Sequence, residues 1–159
     1  MATENNTNIE EDIEETVNEV QLVAFKLLDE EYGVSILNVQ EIRDMTDITR
    51  VPYAPDYIKG VINLRGSVLP VIDLKKRIGL ADAPYTPKTR IIIMKLQDIS
   101  IGMIVDSVTE VLTVDGNHAA PPKSISNDAR NKYINGIGNV DGRLVIMLNL
   151  DEIVDLPEE

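Results

Sequence analysis

The chain has 159 residues, 43% hydrophobic and 26% charged, the composition of a globular protein of one domain or two small ones. It holds no cysteine, which excludes disulfides, zinc–thiolate sites and thiol catalysis. The net charge is −12, and with one Phe, five Tyr and no Trp the chain lacks both the charge and the stacking surface that nucleic acid requires.

The acidity is concentrated at the start. Residues 1–19 carry seven acidic side chains and no basic one, whereas 20 acidic face 15 basic residues from position 20 onward. Residues 1–19 therefore read as a disordered acidic leader without a signal-peptide core. Ile9, Ile13, Val17 and Val20 fall on one helical stripe, so transient helix on a partner is the second reading. No run approaches the roughly 18 to 20 apolar residues of a membrane span.

From Val20 the period changes to two. Val23, Phe25 and Leu27 predict a strand with one buried face, Asp29 to Glu31 a polar turn, and Tyr32 to Ile36 a second strand. Gly60 to Leu74 is apolar and β-branched around Asn63 and Gly66, and Pro70 predicts an edge or bulge. Lys75 to Gly79 reads as a helical turn closed by glycine, and Pro84 and Pro87 mark a linker. Beyond it, Ile91 to Leu96, Ile99 to Val105 and Leu144 to Leu150 are strands. Residues 113–132 form the longest loop, and Asp151 to Leu156 a short helix or tail.

The second half repeats the first. Residues 57–78 align without a gap to 133–154, with identities at Tyr57/Tyr133, Ile58/Ile134, Gly60/Gly136, Asn63/Asn139, Gly66/Gly142 and Leu74/Leu150. Residues 22–43 align likewise to 91–112, with Lys26/Lys95, Gly33/Gly102, Val39/Val108 and Glu41/Glu110 among the identities. Paired glycines answer to backbone geometry, not to face alternation, and so favour duplication over chance. A unit of about 70 residues buries little surface alone. The expectation is an all-β fold of two similar small subdomains, about 20–83 and 88–155, over a shared hydrophobic core.

Within one predicted turn the charge reverses, from Arg65 in Asn63–Gly66 to Asp141 in Asn139–Gly142. An arginine on a rigid hairpin suits a partner's carboxylate. On composition alone, an internal salt bridge or a solvated turn arginine is the first reading.

The runs GVINLRGSVLPVIDL (60–74), EEYGVSILNVQEIR (30–43), IGMIVDSVTEVL (101–112) and DGRLVIMLNLDEIV (141–154) resemble the CheW coupling proteins. The resemblance covers residues 20–155 and implies two five-stranded barrels of the Src-homology-three type. It implies a non-enzymatic, cytoplasmic adaptor, monomeric when free and needing no cofactor. Its partners would be the CheW-like regulatory domain of the histidine kinase CheA and the cytoplasmic tips of methyl-accepting chemotaxis receptors in membrane-associated arrays. An adaptor for a related non-motility kinase is the alternative. By motif, the receptor surface falls on Val39, Gly60, Asn63, Leu64, Arg65, Gly66 and Val108, and the kinase surface on Glu41, Ile42 and Arg43. Arg90 stands where the family usually has an apolar residue. Judged from the residues alone, Val39 and Val108 read first as ordinary core.

No chemistry competes with this reading. The only histidine, His118, sits in the long loop without a serine–acid or metal-spaced set around it, and no phosphate-binding glycine loop or calcium loop occurs.

Overall fold

A computed structural model describes residues 19–115 and 129–155. Residues 1–18 of the acidic leader and His118 lie outside the described residues, whereas Glu19, the leader's last residue, opens the first strand.

Among the described residues, ten strands and two α-helical turns follow in chain order. They are β1 (Glu19–Leu27), β2 (Glu30–Ser35), β3 (Val39–Asp44), β4 (Ile58–Leu64), β5 (Ser67–Asp73) and α1 (Leu74–Arg77), then β6 (Arg90–Leu96), β7 (Ile99–Val105), β8 (Ser107–Asp115), β9 (Ile134–Val140), β10 (Arg143–Leu148) and α2 (Leu150–Ile153). They form two five-stranded sheets, β8-β1-β2-β10-β9 and β3-β6-β7-β5-β4.

Applying the sequence repeat to the second order reproduces the first, because β3, β6, β7, β5 and β4 correspond to β8, β1, β2, β10 and β9. The register follows too: Met147 pairs with Gly33 in one parallel ladder and Val71 with Gly102 in the other. The duplication is therefore structural. The sheets nevertheless cut across the sequence halves. Hairpin β1–β2 joins strands of the second half, and hairpin β6–β7 joins strands of the first. Segments 20–83 and 88–155 each supply strands to both sheets.

The exchange explains the core. Leu22 and Ala24 point into the first sheet's own cluster, while Val23, Phe25 and Leu27 point into a central cluster shared by both sheets. In β6, Ile91 and Ile93 enter the second sheet's cluster, and Ile92 and Met94 the central one. The expected one-faced strand at 23–27 is thus corrected: Leu22 to Phe25 are all buried, because β1 lies between two cores. Each such side chain contributes about 1.5–3 kcal/mol by burial, so exchange of these two strands accounts for much of the adhesion between sheets.

Neither sheet closes fully into a barrel. In the second, the edges β3 and β4 are not laddered to each other. The chain beyond β3 returns to β4 through one bridge, with Thr49 and Val61 exchanging hydrogen bonds of 2.9 and 2.8 Å. That bridge also corrects the reading of Pro70, which lies in the inner strand β5. Val61 directs its N–H and C=O to Thr49, so the Val61–Pro70 pair is not hydrogen-bonded and the proline nitrogen faces β7. The β7 ladder begins one residue later, at Val71, so no bond is lost.

The repeated tyrosines mark the junction. The Tyr57 and Tyr133 carbonyls accept from Asp73 and Asn149, at equivalent positions, at 2.7 and 2.8 Å. The Arg77 guanidinium lies 4.5 Å from one ring centroid and 5.3 Å from the other, and donates to the carbonyls of Glu152, Ile153 and Asp155 beyond and within α2.

Candidate docking surfaces

The Asn63–Gly66 turn is rigid for local reasons. Arg65 (φ 51°) and Gly66 (φ 85°) are both left-handed, as a tight two-residue hairpin requires. Asn63 Oδ1 accepts the Gly66 N–H at 3.1 Å. Asp141, Gly142 and Asn139 repeat this geometry in the other copy. The hairpin projects Arg65 outward, its side chain 75% exposed.

Arg65 is not solitary. Its guanidinium donates to Glu41 Oε2 at 3.2 Å, so the turn beyond β4 reaches the far edge strand β3 across the open side of the sheet. Arg43 lies 3.7 Å from Glu41 Oε1, which is buried and has no hydrogen bond. The internal-salt-bridge reading of Arg65 therefore holds, and the exposed face of its fork stays open to a partner. The residues expected for receptor and kinase thus meet in one ion pair.

Around that pair the expected residues separate by role. In β3 burial alternates, and Ile42 faces outward, 43% exposed. Asn63 is exposed and Leu64 half-buried against the barrel core. Gly60 is buried: a Cβ there would lie 2.2 Å from the Thr49 carbonyl oxygen, so its part is to admit the bridge. Val39 and Val108 are half-buried on opposite strands of the repeat, both packed against the central cluster.

A second construction of the same kind occupies the other copy. Glu110, the counterpart of Glu41, pairs with Arg143, which also makes a two-pronged contact with Glu31. Burial pushes the Glu31 carboxyl up, but hydrogen bonds from Arg143 and Thr109 and the charges of Arg143 and Lys26 outweigh it, leaving a net fall below the usual 4.5. The hydrogen bonds to Glu31 and Glu110 raise Arg143. Val111, the counterpart of Ile42, is 54% exposed, and Leu144, the counterpart of Val68, is 63% exposed. The identity of Glu41 with Glu110 was the available sequence signal. It stayed silent because the arginines come from non-equivalent positions, 65 and 143.

Other polar groups are occupied structurally. Buried Asp73 accepts from the Lys76 N–H and the Tyr85 hydroxyl, and burial with the Asp73 charge lifts that phenol far above its ordinary range. Burial and Glu30 push Tyr32 up to about 12. Buried Lys75 pairs with Asp106 at 2.5 Å. Among the described residues no group of three or more His, Cys, Asp or Glu is placed to hold a metal, and no helix is long and apolar enough to cross a membrane.

Exposed apolar side chains beside fixed ion pairs, on a duplicated β fold whose buried polar groups among the described residues have structural partners, Glu41 Oε1 apart, fit a binding module of the scaffold class. The family model for the CheW-like domain matches residues 21–158, and the chain belongs to that family. It is 37% identical over 133 residues to the chemotaxis protein CheW of Rhizobium meliloti, covering 84% of this chain and 86% of that one. It is likewise 37% identical over 136 residues to the chemotaxis protein CheW of Bacillus subtilis, covering 85% and 86%. A crystal structure of the scaffolding protein TtCheW from Thermoanaerobacter tengcongensis superimposes with a TM-score of 0.80 at 35% identity, covering 88% of this chain and 95% of that one.

Proposed function

We propose that the chain is a non-enzymatic chemotaxis adaptor that couples the cytoplasmic tips of chemoreceptors to the histidine kinase CheA. The observation that carries this reading is the doubled construction. Each barrel presents an exposed aliphatic residue beside a carboxylate–arginine pair, Ile42 with Glu41–Arg65 and Val111 with Glu110–Arg143. A protein that joins others needs more than one such face. An exposed aliphatic next to an oriented ion pair supplies both apolar anchoring and register. The similarity to proteins described as chemotaxis and scaffolding proteins supports the same function.

In this reading the free protein is a cytoplasmic monomer recruited to receptor arrays. The Glu41–Ile42–Arg43 strand meets the kinase regulatory domain. The Asn63–Gly66 turn, with Val39 and Val108, meets the receptor hairpin, and Gly60 acts by holding the loop beneath that turn. Because Arg65 holds Glu41, the two surfaces are coupled, and Arg65→Glu weakens both partners by setting two carboxylates against each other.

Ile42→Asp provides the cleaner test, since Ile42 is exposed and its loss leaves the core intact. Titration calorimetry should show about tenfold weaker binding of a CheA regulatory-domain fragment, with a receptor-tip fragment unaffected. Equal binding of the kinase fragment to the variant would sink the assignment.

A further inference from the structure

Where β1, β6 and β8 converge, a cleft of about 420 Å³ is lined by Lys26, Lys88, Arg90, Ser107, Val108 and Thr109. Three of its six lining residues are cationic and none is acidic, in a chain of net charge −12. The nearby carboxylates already have partners, and one of them, Asp44, is paired with Arg90 of the lining. Asp44 pairs with Arg90 at 3.2 Å, Glu31 is held by Arg143 and by the Thr109 hydroxyl, and Asp106 is held by Lys75. Lys26, whose charge also reaches Glu31, and Lys88 form no ion pair among the described residues, so the lining of the cleft carries a net positive charge.

The repeat shows that this charge is not a feature of the barrel. Lys95 corresponds to Lys26 and Val39 to Val108, but the position two residues before β1's Gln21, which corresponds to Lys88, is Glu19. Gln21 itself stands in place of Arg90. One copy is basic where the other is acidic or neutral.

We propose that this cleft is a docking site for the acidic segment of the same chain, residues 1–18. That segment carries Glu4, Glu10, Glu11, Asp12, Glu14 and Glu15 with no basic residue, and it lies before the region matched by the family model, which starts at residue 21. Charge complementarity selects the cleft. Reach permits it. From Glu19, where the segment joins β1, to Lys26 is about 23 Å of strand. Eighteen residues extend to about 60 Å, enough to fold back along β1. The stripe of Ile9, Ile13 and Val17 supplies apolar contact for Val108. Resting on the functional reading above, in which Val108 meets the receptor, a seated segment competes with the receptor tip and so tunes coupling.

The absence of cysteine allows a direct test on the full chain. A nitroxide attached at Asn8→Cys should broaden the amide signals of Lys26, Lys88, Arg90, Ser107 and Thr109 at low salt. The broadening should vanish in 1 M salt, where the screening length falls to about 3 Å, and in Lys26→Glu/Lys88→Glu. No broadening at low salt, or broadening indifferent to charge reversal, overturns the proposal. So does broadening in a mixture of tagged unlabelled and untagged isotope-labelled protein, which assigns the contact to a second copy. With Glu10, Glu11, Glu14 and Glu15 changed to Gln and Asp12 to Asn, a receptor-tip fragment should bind about three- to tenfold tighter. Broadening without that gain supports the docking and removes Val108 from the receptor surface, which separates the two failures.

Discussion

Gly60 and Gly66 stand six residues apart in the same motif, yet different forces hold them. At Gly66 the demand is conformational: φ is 85° and no atom lies within 4 Å of a built Cβ. At Gly60 φ is 154° and the Cβ position lies 2.2 Å from the Thr49 carbonyl oxygen and 2.7 Å from Ile48 Cγ2. Gly66→Ala should therefore cost about 1 kcal/mol, the ordinary expense of a left-handed alanine. Gly60→Ala must displace the Thr49–Val61 bridge and should cost about 3 kcal/mol or more. Urea denaturation of the two variants checks the order; equal losses would show that the bridge gives way freely. The pair at Lys75 and Asp106 poses a similar asymmetry. Lys75 is 1% exposed, while Asp106 is partly solvated and also accepts the Leu28 N–H at 2.7 Å. Asp106→Ala leaves a buried ammonium unpartnered and should cost about 3–5 kcal/mol, whereas Lys75→Met should lie within about 1 kcal/mol of the parent. Comparable losses in the two variants would contradict this account.

Between elements, ion pairs reach across strands that hydrogen bonds do not join. Glu41–Arg65 links β3 to the β4–β5 turn and Glu110–Arg143 links β8 to β10, while Glu31–Arg143 reinforces the β2–β10 ladder. The second cluster carries a pH signature. The Glu31 carboxyl titrates lower in the folded protein than its unfolded value of 4.5. Its stabilising contribution is therefore complete above pH 4.5 and is lost as pH falls through the depressed folded value. Glu31→Gln should be less stable than the parent at neutral pH, and the gap should narrow steadily below pH 4.5. Denaturant midpoints measured from pH 7 down to about pH 3 follow it, and a gap constant with pH would assign the effect to packing instead.

This is also the scale at which the sequence stops being legible. The hairpins 58–73 and 90–105 announce themselves through apolar alternation and shared glycines. Strand β3 does not, because Gln40, Glu41, Arg43 and Asp44 leave it only Val39 and Ile42 as apolar positions, too few to show a period. The contact of Arg65 with Glu41 is invisible for another reason: it depends on how an open sheet curls, which no local period encodes. Strand β1 reads as one-faced in the sequence because its second buried face, at Leu22 and Ala24, is covered by strands from the distant half.

At the scale of the whole molecule, the exchanged hairpins decide how the protein folds. The duplication is legible because each unit keeps its own glycines and tyrosines. The exchange is not, since a hairpin's alternation is identical whichever sheet it enters. Each sheet takes strands from both halves, and the central cluster takes side chains from both sheets, so neither half holds a complete sheet or a complete core. Cutting the chain in the 84–87 linker should yield two fragments that are each unfolded alone. The first would expose β1 and β2 without their partners β8 and β10, and the second would expose β6 and β7 without β3 and β5. Mixed in equal amounts, the fragments should regain a folded spectrum, and the intact chain should melt in one transition seen alike from probes in either sheet. A fragment spanning residues 19–83 that gave a dispersed amide spectrum alone would show that hairpin β1–β2 can close back onto its own half. The exchange would then be a docking of finished domains and not the condition of their folding.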